Sequence, residues 1–199
     1  IFPIMLVFIN SFKKKAYISR KPFDIPTGKM YVGLENYFRG IKQANFLEGA
    51  KWSTVITVGS VFLIILCTSM CAWYIVRVKN ALTKTIYYLC LFAMIVPFQM
   101  EMFTLSKLAN SLGLNTPRGL WIIYLGFGAG LSVFMFTGFV KSIPVEIEEA
   151  AMIDGCNPLQ TFFGVVLPVL KPTCVTVAIL QTMWIWNDYL LPYLVLDLK

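Results

Sequence analysis

Hydrophobic positions in this chain come in long unbroken runs instead of alternating with polar ones. Residues 52–76 form 25 uncharged positions between Lys51 and Arg77, and residues 119–140 form 22 between Arg118 and Lys141. At about 1.5 Å per helical residue, either run covers the roughly 30 Å hydrocarbon core of a bilayer. Residues 85–103 and 172–196 are nearly as apolar, each with one interior acid, Glu101 and Asp188. Residues 1–12 are apolar and then meet Lys13-Lys14-Lys15, which predicts the tail of a spanning helix whose start is missing. A signal peptide fits this end poorly, because the positive charges follow the apolar run instead of preceding it. Backbone inside lipid must satisfy its own polar groups, so each run predicts a helix. The expectation is an all-α polytopic transmembrane helical bundle, a single domain over residues 1–199 with about five spanning helices.

Composition agrees: 58% of residues are hydrophobic, 14% are charged and the mean hydropathy is +0.72, too little polar surface for a soluble domain. The net charge of +7 is concentrated in residues 10–51, where nine Lys or Arg face three acids. In a polytopic chain such a balance is poor evidence for nucleic-acid binding, and no nucleic-acid partner is expected. There is no His, which removes the commonest general base and metal ligand. The five cysteines, Cys67, Cys71, Cys90, Cys156 and Cys174, make no metal-type pair in a loop and read as small apolar filler. No Gly-rich loop ending in Gly-Lys-Ser/Thr is present, so the chain has no such means of holding ATP. An enzyme is not expected, and neither is a bound cofactor or metal.

Between the runs, residues 142–172 predict two short helices and a turn. Ser142 is a candidate N-cap and Pro144 suits a first helical turn, where Glu146, Glu148 and Glu149 would lie near the positive end of the helix dipole. Asp154-Gly155 then stops that helix, and Asn157-Pro158 starts a second carrying Leu159, Phe162, Phe163 and Val166, with Pro168 ending it. Ala150 and Ala151 leave one face of the first helix thin, as a helix entering a partner's groove would need.

The same residues carry a resemblance. Glu149-Ala150-Ala151, then Gly155 after three residues, then Val165, Leu167 and Pro168 resemble the EAA loop of permease subunits of binding-protein-dependent ABC importers, of the MetI-like type I kind and the carbohydrate branch. Val165 stands where that family usually has Ile, and Cys156 where it often has Ala. The resemblance extends over about nine-tenths of the chain: Gly33-Leu34-Glu35-Asn36-Tyr37, Ala72-Trp73-Tyr74-Ile75-Val76-Arg77, Leu112-Gly113-Leu114-Asn115-Thr116 and Trp186-Asn187-Asp188-Tyr189 follow in the family's order. It implies that the chain lacks the start of the first helix and all of a sixth. It also implies a cytoplasmic coupling loop at 142–172, in which Glu149, Ala150, Ala151, Asp154, Gly155 and Pro168 couple the permease to a separate ATPase that alone binds ATP. Glu149 would pair with a basic residue of that ATPase, and Gly155 would allow the sharp bend. Implied partners are ABC ATPase subunits, a second permease, identical or paralogous, an extracytoplasmic solute-binding protein, a sugar and the bilayer. The implied location is the plasma (inner) membrane of a bacterium or archaeon.

Charge counting opposes that orientation. If helices alternate, eleven basic residues fall on the side of residues 10–51 and five on the side of the EAA loop, so the positive-inside rule puts the loop outside. The resemblance puts it in the cytoplasm, and the rule is weaker for long loops.

Trp186, Asn187 and Asp188 are candidates for the substrate pathway, because polar groups in a spanning helix are costly unless they meet a partner, water or a substrate. An indole stacks on a pyranose face and an amide bonds its hydroxyls. The alternative is an interfacial aromatic belt, with Asn187 and Asp188 capping a helix broken near Pro192. Gln99 and Glu101, after a kink at Pro97, read as a solvated helix end or a pathway lining. Gly126 and Gly130 predict close helix packing. The expected function is that of a sugar-importer permease; the rivals are an importer of amino acids, phosphate or another small polar solute, and a membrane scaffold.

Overall fold

A computed structural model describes residues 1–196. Among these the chain is helical without strands, in the order α1 (Phe2–Ser11), α2 (Lys15–Arg20), α3 (Glu35–Gln43), α4 (Phe46–Arg77), α5 (Ala81–Ala93), α6 (Phe98–Ser111), α7 (Gly119–Val140), α8 (Val145–Ile153), α9 (Pro158–Val169), α10 (Lys171–Asn187) and α11 (Leu190–Val195). The chain separates into two compact units, Ile1–Trp52 and the remainder from Ser53.

In the first unit the basic segment is folded around one lysine. Lys13 is fully buried, and its amine donates to Asn10 Oδ1 at 2.9 Å, to the Lys21 carbonyl at 2.8 Å and to the Pro22 carbonyl at 3.1 Å. Asn36 Nδ2 donates to the Ser11 and Lys13 carbonyls, both at 2.8 Å, and Phe12 packs beside Tyr31 and Tyr37. Lys21 pairs with Asp24 and Arg39 with Glu35. Three of the nine basic residues of 10–51 thus have their own partners, which weakens a count that treats every charge as free to face a membrane surface.

Two helices among the described residues are long and apolar enough to cross a membrane, α4 and α7. The expected span at 52–76 is longer than predicted, because α4 continues N-terminally through Glu48 to Phe46. The expected span at 85–103 is instead a bent pair: α5 and α6 meet at 110°, with Pro97 in extended conformation as the N-cap of α6. Pro97 lacks an N–H and forces the residue before it away from helical angles, so the kink expected there becomes a break. The run at 172–196 also breaks, at Asp188 and Tyr189 just ahead of Pro192, and α10 meets α9 at 75°. The described residues therefore contain two unbroken spans, or up to four if each bent pair is one span, beside the ten-residue apolar α1.

Helix α7 is the hub, packed by α5 and by α10. Its buried residues Leu120, Ile123, Tyr124, Phe136 and Val140 join Ile64 and Ala72 of α4, Phe162 and Val166 of α9, and Val177 of α10 in one core. Buried Gln181 of α10 donates to Ser132 Oγ at 3.1 Å and to the Gly128 carbonyl at 3.3 Å, a polar clasp inside the apolar bundle.

The glycines of α7 differ from expectation. Gly130 does allow close approach, since a Cβ there would meet the Met94 side chain and lie 2.7 Å from the Cys90 carbonyl. Gly126 faces open space, and the second packing glycine is Gly128, whose Cβ would lie 2.6 Å from Ile64 Cδ1. A backbone oxygen cannot move aside as a side-chain tip can, so Gly130→Ala is expected to cost about 1–3 kcal/mol. Gly126→Ala should be neutral or gain up to about 1 kcal/mol through helix propensity. Thermal unfolding of the purified transporter checks the pair; equal losses at both positions would mean another helix also covers Gly126.

Candidate functional site

The segment after α7 folds as two helices around a glycine turn, with corrections to how it starts and ends. Ser142 is not the N-cap: its hydroxyl donates back to the Phe139 carbonyl at 2.7 Å and closes α7, while Pro144 takes the N-cap place of α8. Helix α8 ends at Asp154, and Gly155 adopts φ +90°, the left-handed backbone that glycine enters without strain. The Gly155 N–H donates to the Met152 carbonyl and the Cys156 N–H to the Ala151 carbonyl, both at 3.0 Å, so the last carbonyls of α8 are satisfied by the turn.

Asn157 and Gln160 then form a reciprocal capping box: Asn157 Oδ1 accepts from the Gln160 N–H at 2.9 Å, and Gln160 Oε1 accepts from the Asn157 N–H at 2.8 Å. Pro158 occupies the first turn as predicted. Pro168 does not end α9. The helix widens over Phe162–Val166 into a π turn, with the Leu167 N–H donating to the Phe162 carbonyl. That shift to i→i+5 pairing lets the chain pass a residue with no N–H to give, and α9 runs on to Val169 before Leu170 turns the chain into α10.

The three acids of α8 part company. Glu148 is buried, and its carboxylate accepts from Trp73 Nε1 at 2.9 Å, from Arg77 Nε at 3.1 Å and from Arg77 Nη2 at 2.7 Å. Arg77 Nη2 also donates to the Ile143 carbonyl at 3.0 Å. Two donors from the end of α4 therefore hold α8 through one carboxylate, and Trp73 further stacks at a tilt on buried Phe162 of α9, 5.5 Å between centroids. A bidentate guanidinium–carboxylate pair fixes orientation as well as distance.

Glu149, the acid expected to act, is exposed, as are Glu146, Ala150, Asp154, Gly155 and Pro168, with Ala151 half-buried. Ile147, Met152 and Ile153 of the same helix are exposed too, as are Leu159 and Phe163 of α9; Ile153 is 86% exposed. The sequence singles out Glu149 for coupling and gives Glu146 and Glu148 only a place near the helix dipole, so the role of Glu148 is not among its expectations. The signal was its helical phase: Glu148 and Ala151 lie three residues apart on one face, and Arg77 ends a span with no acid near it in sequence.

The substrate-pathway candidates also separate. Tyr124, fully buried on α7, donates its hydroxyl to Asp188 Oδ2 at 3.1 Å, while Asp188 Oδ1 accepts from the Leu190 N–H at 3.0 Å and the Leu191 N–H at 3.3 Å. Asp188 is thus a cap for α11, anchored to the core. Asn187 is exposed, with Nδ2 donating to the Met183 carbonyl at 2.7 Å, and Trp186 is exposed beside it. Glu101 is half-buried and Gln99 exposed on the first turns of α6.

With this geometry in place, comparison with known proteins is specific. A family described as the binding-protein-dependent transport system inner membrane component matches residues 64–198. The chain is 39% identical over 195 residues to a probable starch degradation products transport system permease protein, AmyC, of Thermoanaerobacterium thermosulfurigenes, a match covering 98% of this chain and 70% of that one. It is 35% identical over 199 residues to the multiple sugar-binding transport system permease protein MsmG of Streptococcus mutans, covering 98% and 70%. A diacetylchitobiose uptake system permease protein, NgcG, of Streptomyces coelicolor is 32% identical over 193 residues, covering 96% of this chain and 63% of that protein. In structure it resembles a chain of a bacterial ABC transporter involved in import of the acidic polysaccharide alginate, with a TM-score of 0.76 and 22% identity over 99% of this chain and 75% of that one, a likeness of fold.

Proposed function

This chain belongs to the family of inner-membrane components of binding-protein-dependent transport systems, and on that premise we propose that residues 142–172 dock a separate ATPase on the cytoplasmic side and transmit its movement to the membrane helices. The family is one of membrane permeases for transport and not of enzymes. The observation that carries the reading is the division of labour on α8: buried Glu148 ties the helix to Trp73 and Arg77, while Glu149, Ile147, Met152 and Ile153 stay exposed. A helix gripped through one buried carboxylate, with apolar side chains left exposed beside Glu149, suits a lever that enters a partner's groove. ATP is bound by that partner, and a second permease, identical or paralogous, completes the pathway. An extracytoplasmic solute-binding protein delivers the solute.

The solute we propose is a sugar or oligosaccharide. Its support is the set of relatives above, named for starch products, multiple sugars and diacetylchitobiose, together with exposed Trp186 and Asn187 at the end of α10. Asp188 serves there as the cap that sets the break, with Trp186 and Asn187 left to face the pathway. Loss of a buried hydrogen bond to substrate costs about 1–3 kcal/mol, so Asn187→Ala should raise the sugar concentration for half-maximal uptake about tenfold in proteoliposomes holding the assembled transporter. An unchanged concentration dependence with reduced assembly would make Asn187 a packing residue. Uptake of a labelled amino acid or phosphate in place of any sugar would assign the transporter to the rival solute class.

A further inference from the structure

Beside the Arg77–Glu148 pair lies a cavity of about 1180 Å³ that the coupling role leaves unused. Its walls come from the last turn of α4, the turn at Lys79 and Asn80, the start of α5, the end of α7 and the entry to α8. Lys79, Lys84 and Lys141 line it, and none of the three forms an ion pair among the described residues. Among the described residues Glu146 is the one carboxylate on the wall; Arg77, also on it, is committed to Glu148. Lys141 Nζ lies 5.9 Å from the ring centroid of Tyr87, another wall residue. Asn80 caps α5 by accepting from the Thr83 N–H at 2.8 Å, so the positive end of that 13-residue helix opens on the same space.

The cavity's depth along the membrane follows from sequence. The apolar runs of α4 and α7 stop at Val76 and Val140, so the lysines just beyond them stand where hydrocarbon gives way to headgroups. Ile75, Val76 and Val145 give the wall an apolar stretch, beside the hydroxyl-bearing Thr83 and Thr137. Basic pockets between spanning helices at this level suit anionic headgroups.

We propose that this cavity binds the phosphate headgroup of an anionic phospholipid, with Lys79, Lys84 and Lys141 around the phosphate and the apolar stretch against the first acyl carbons. Because Ile143, Pro144 and Val145 form part of the wall, the bound headgroup props the segment that leads into α8. The inference rests on the membrane location given by the family and not on the side of the bilayer.

The test uses the full transporter with its partner subunits, taken from nanodiscs of phosphatidylcholine with a minor share of phosphatidylglycerol and read by native mass spectrometry. The wild type should retain phosphatidylglycerol in preference to phosphatidylcholine, and K79Q/K84Q/K141Q should lose that preference by about fivefold or more. Lys107→Gln, remote in sequence from the cavity lining, should leave it unchanged. Equal retention by the triple variant and the wild type overturns the proposal. Displacement of the lipid by an excess of inorganic phosphate overturns the lipid source and assigns the lysines to free phosphate. The same spectra report subunit composition: if the triple variant does not assemble, Lys84→Gln alone is read the same way, with a partial loss expected and no loss overturning the site. Absence of any ATPase subunit from the wild-type complex would count against the coupling role and leave the lipid result standing.

Discussion

Glu148→Ala is expected to reduce uptake about a hundredfold at equal levels of assembled transporter. The substitution leaves the Arg77 guanidinium and the Trp73 N–H, both at the end of α4, without their common acceptor. Breaking a buried ion pair by removing one partner costs roughly 3–5 kcal/mol, and the low end applies because the Arg77 side chain keeps 21% exposure. About 3 kcal/mol is roughly two powers of ten in the fraction of molecules with α8 correctly held. Arg77→Met should be nearly as damaging, since it strands a carboxylate in a site where Glu148 is 3% exposed. Arg77→Met combined with Glu148→Met should be milder than the two losses summed, because no charge is then left unpaired. Uptake and thermal unfolding measured for the two single variants and the double variant decide the matter; strictly additive losses would mean the two side chains do not act as a unit.

Glu149→Lys is expected to be as severe for transport by a different route. Glu149 is exposed and makes no ion pair among the described residues, so reversing its charge leaves the chain's own fold intact. The loss should appear as release of the ATPase: co-purification falls at least about tenfold, in keeping with the several kcal/mol that a wrong-sign charge costs at an interface. Gly155 tests the same surface through the backbone. Its hypothetical Cβ would meet nothing within 4 Å, so any effect of substitution arises from φ +90° alone. Gly155→Val should therefore be worse than Gly155→Asn, because a β-branched residue tolerates left-handed backbone least. Normal ATPase co-purification by Glu149→Lys would remove the docking assignment from this face.

How much of this was legible in the sequence depended on whether a local rule was decisive. The Gly155 turn, the Asn157-Pro158 start and the runs of α4 and α7 were legible because left-handed backbone, N-capping and long uncharged segments are set by the residues themselves. Ser142 was misplaced because a hydroxyl can cap the helix ahead or satisfy the one behind, and it does the latter. Pro168 was misplaced because a π turn, which no composition announces, absorbs its missing donor. Pro97 was placed correctly as a kink, but the size of the bend between α5 and α6 is a tertiary property. The role of Glu148 needed a partner 71 residues away, and the anchoring of Asp188 needed Tyr124, 64 residues away. Among α7 glycines, spacing marked Gly126 and Gly130, whereas packing uses Gly128 and Gly130 because the neighbours on the two sides are different helices.

The most direct test of the coupling assignment is a photo-crosslink from Ile153. This residue is 86% exposed at the end of α8, and Phe38 on α3, 69% exposed, serves as the comparison site. With a photoreactive amino acid at either position in the assembled transporter in cells, the account predicts an adduct between position 153 and the ATPase subunit, and none from position 38. An ATPase adduct from position 38 and not from 153 would contradict it, placing the α8 loop on the outer side as the count of basic residues alone would have it.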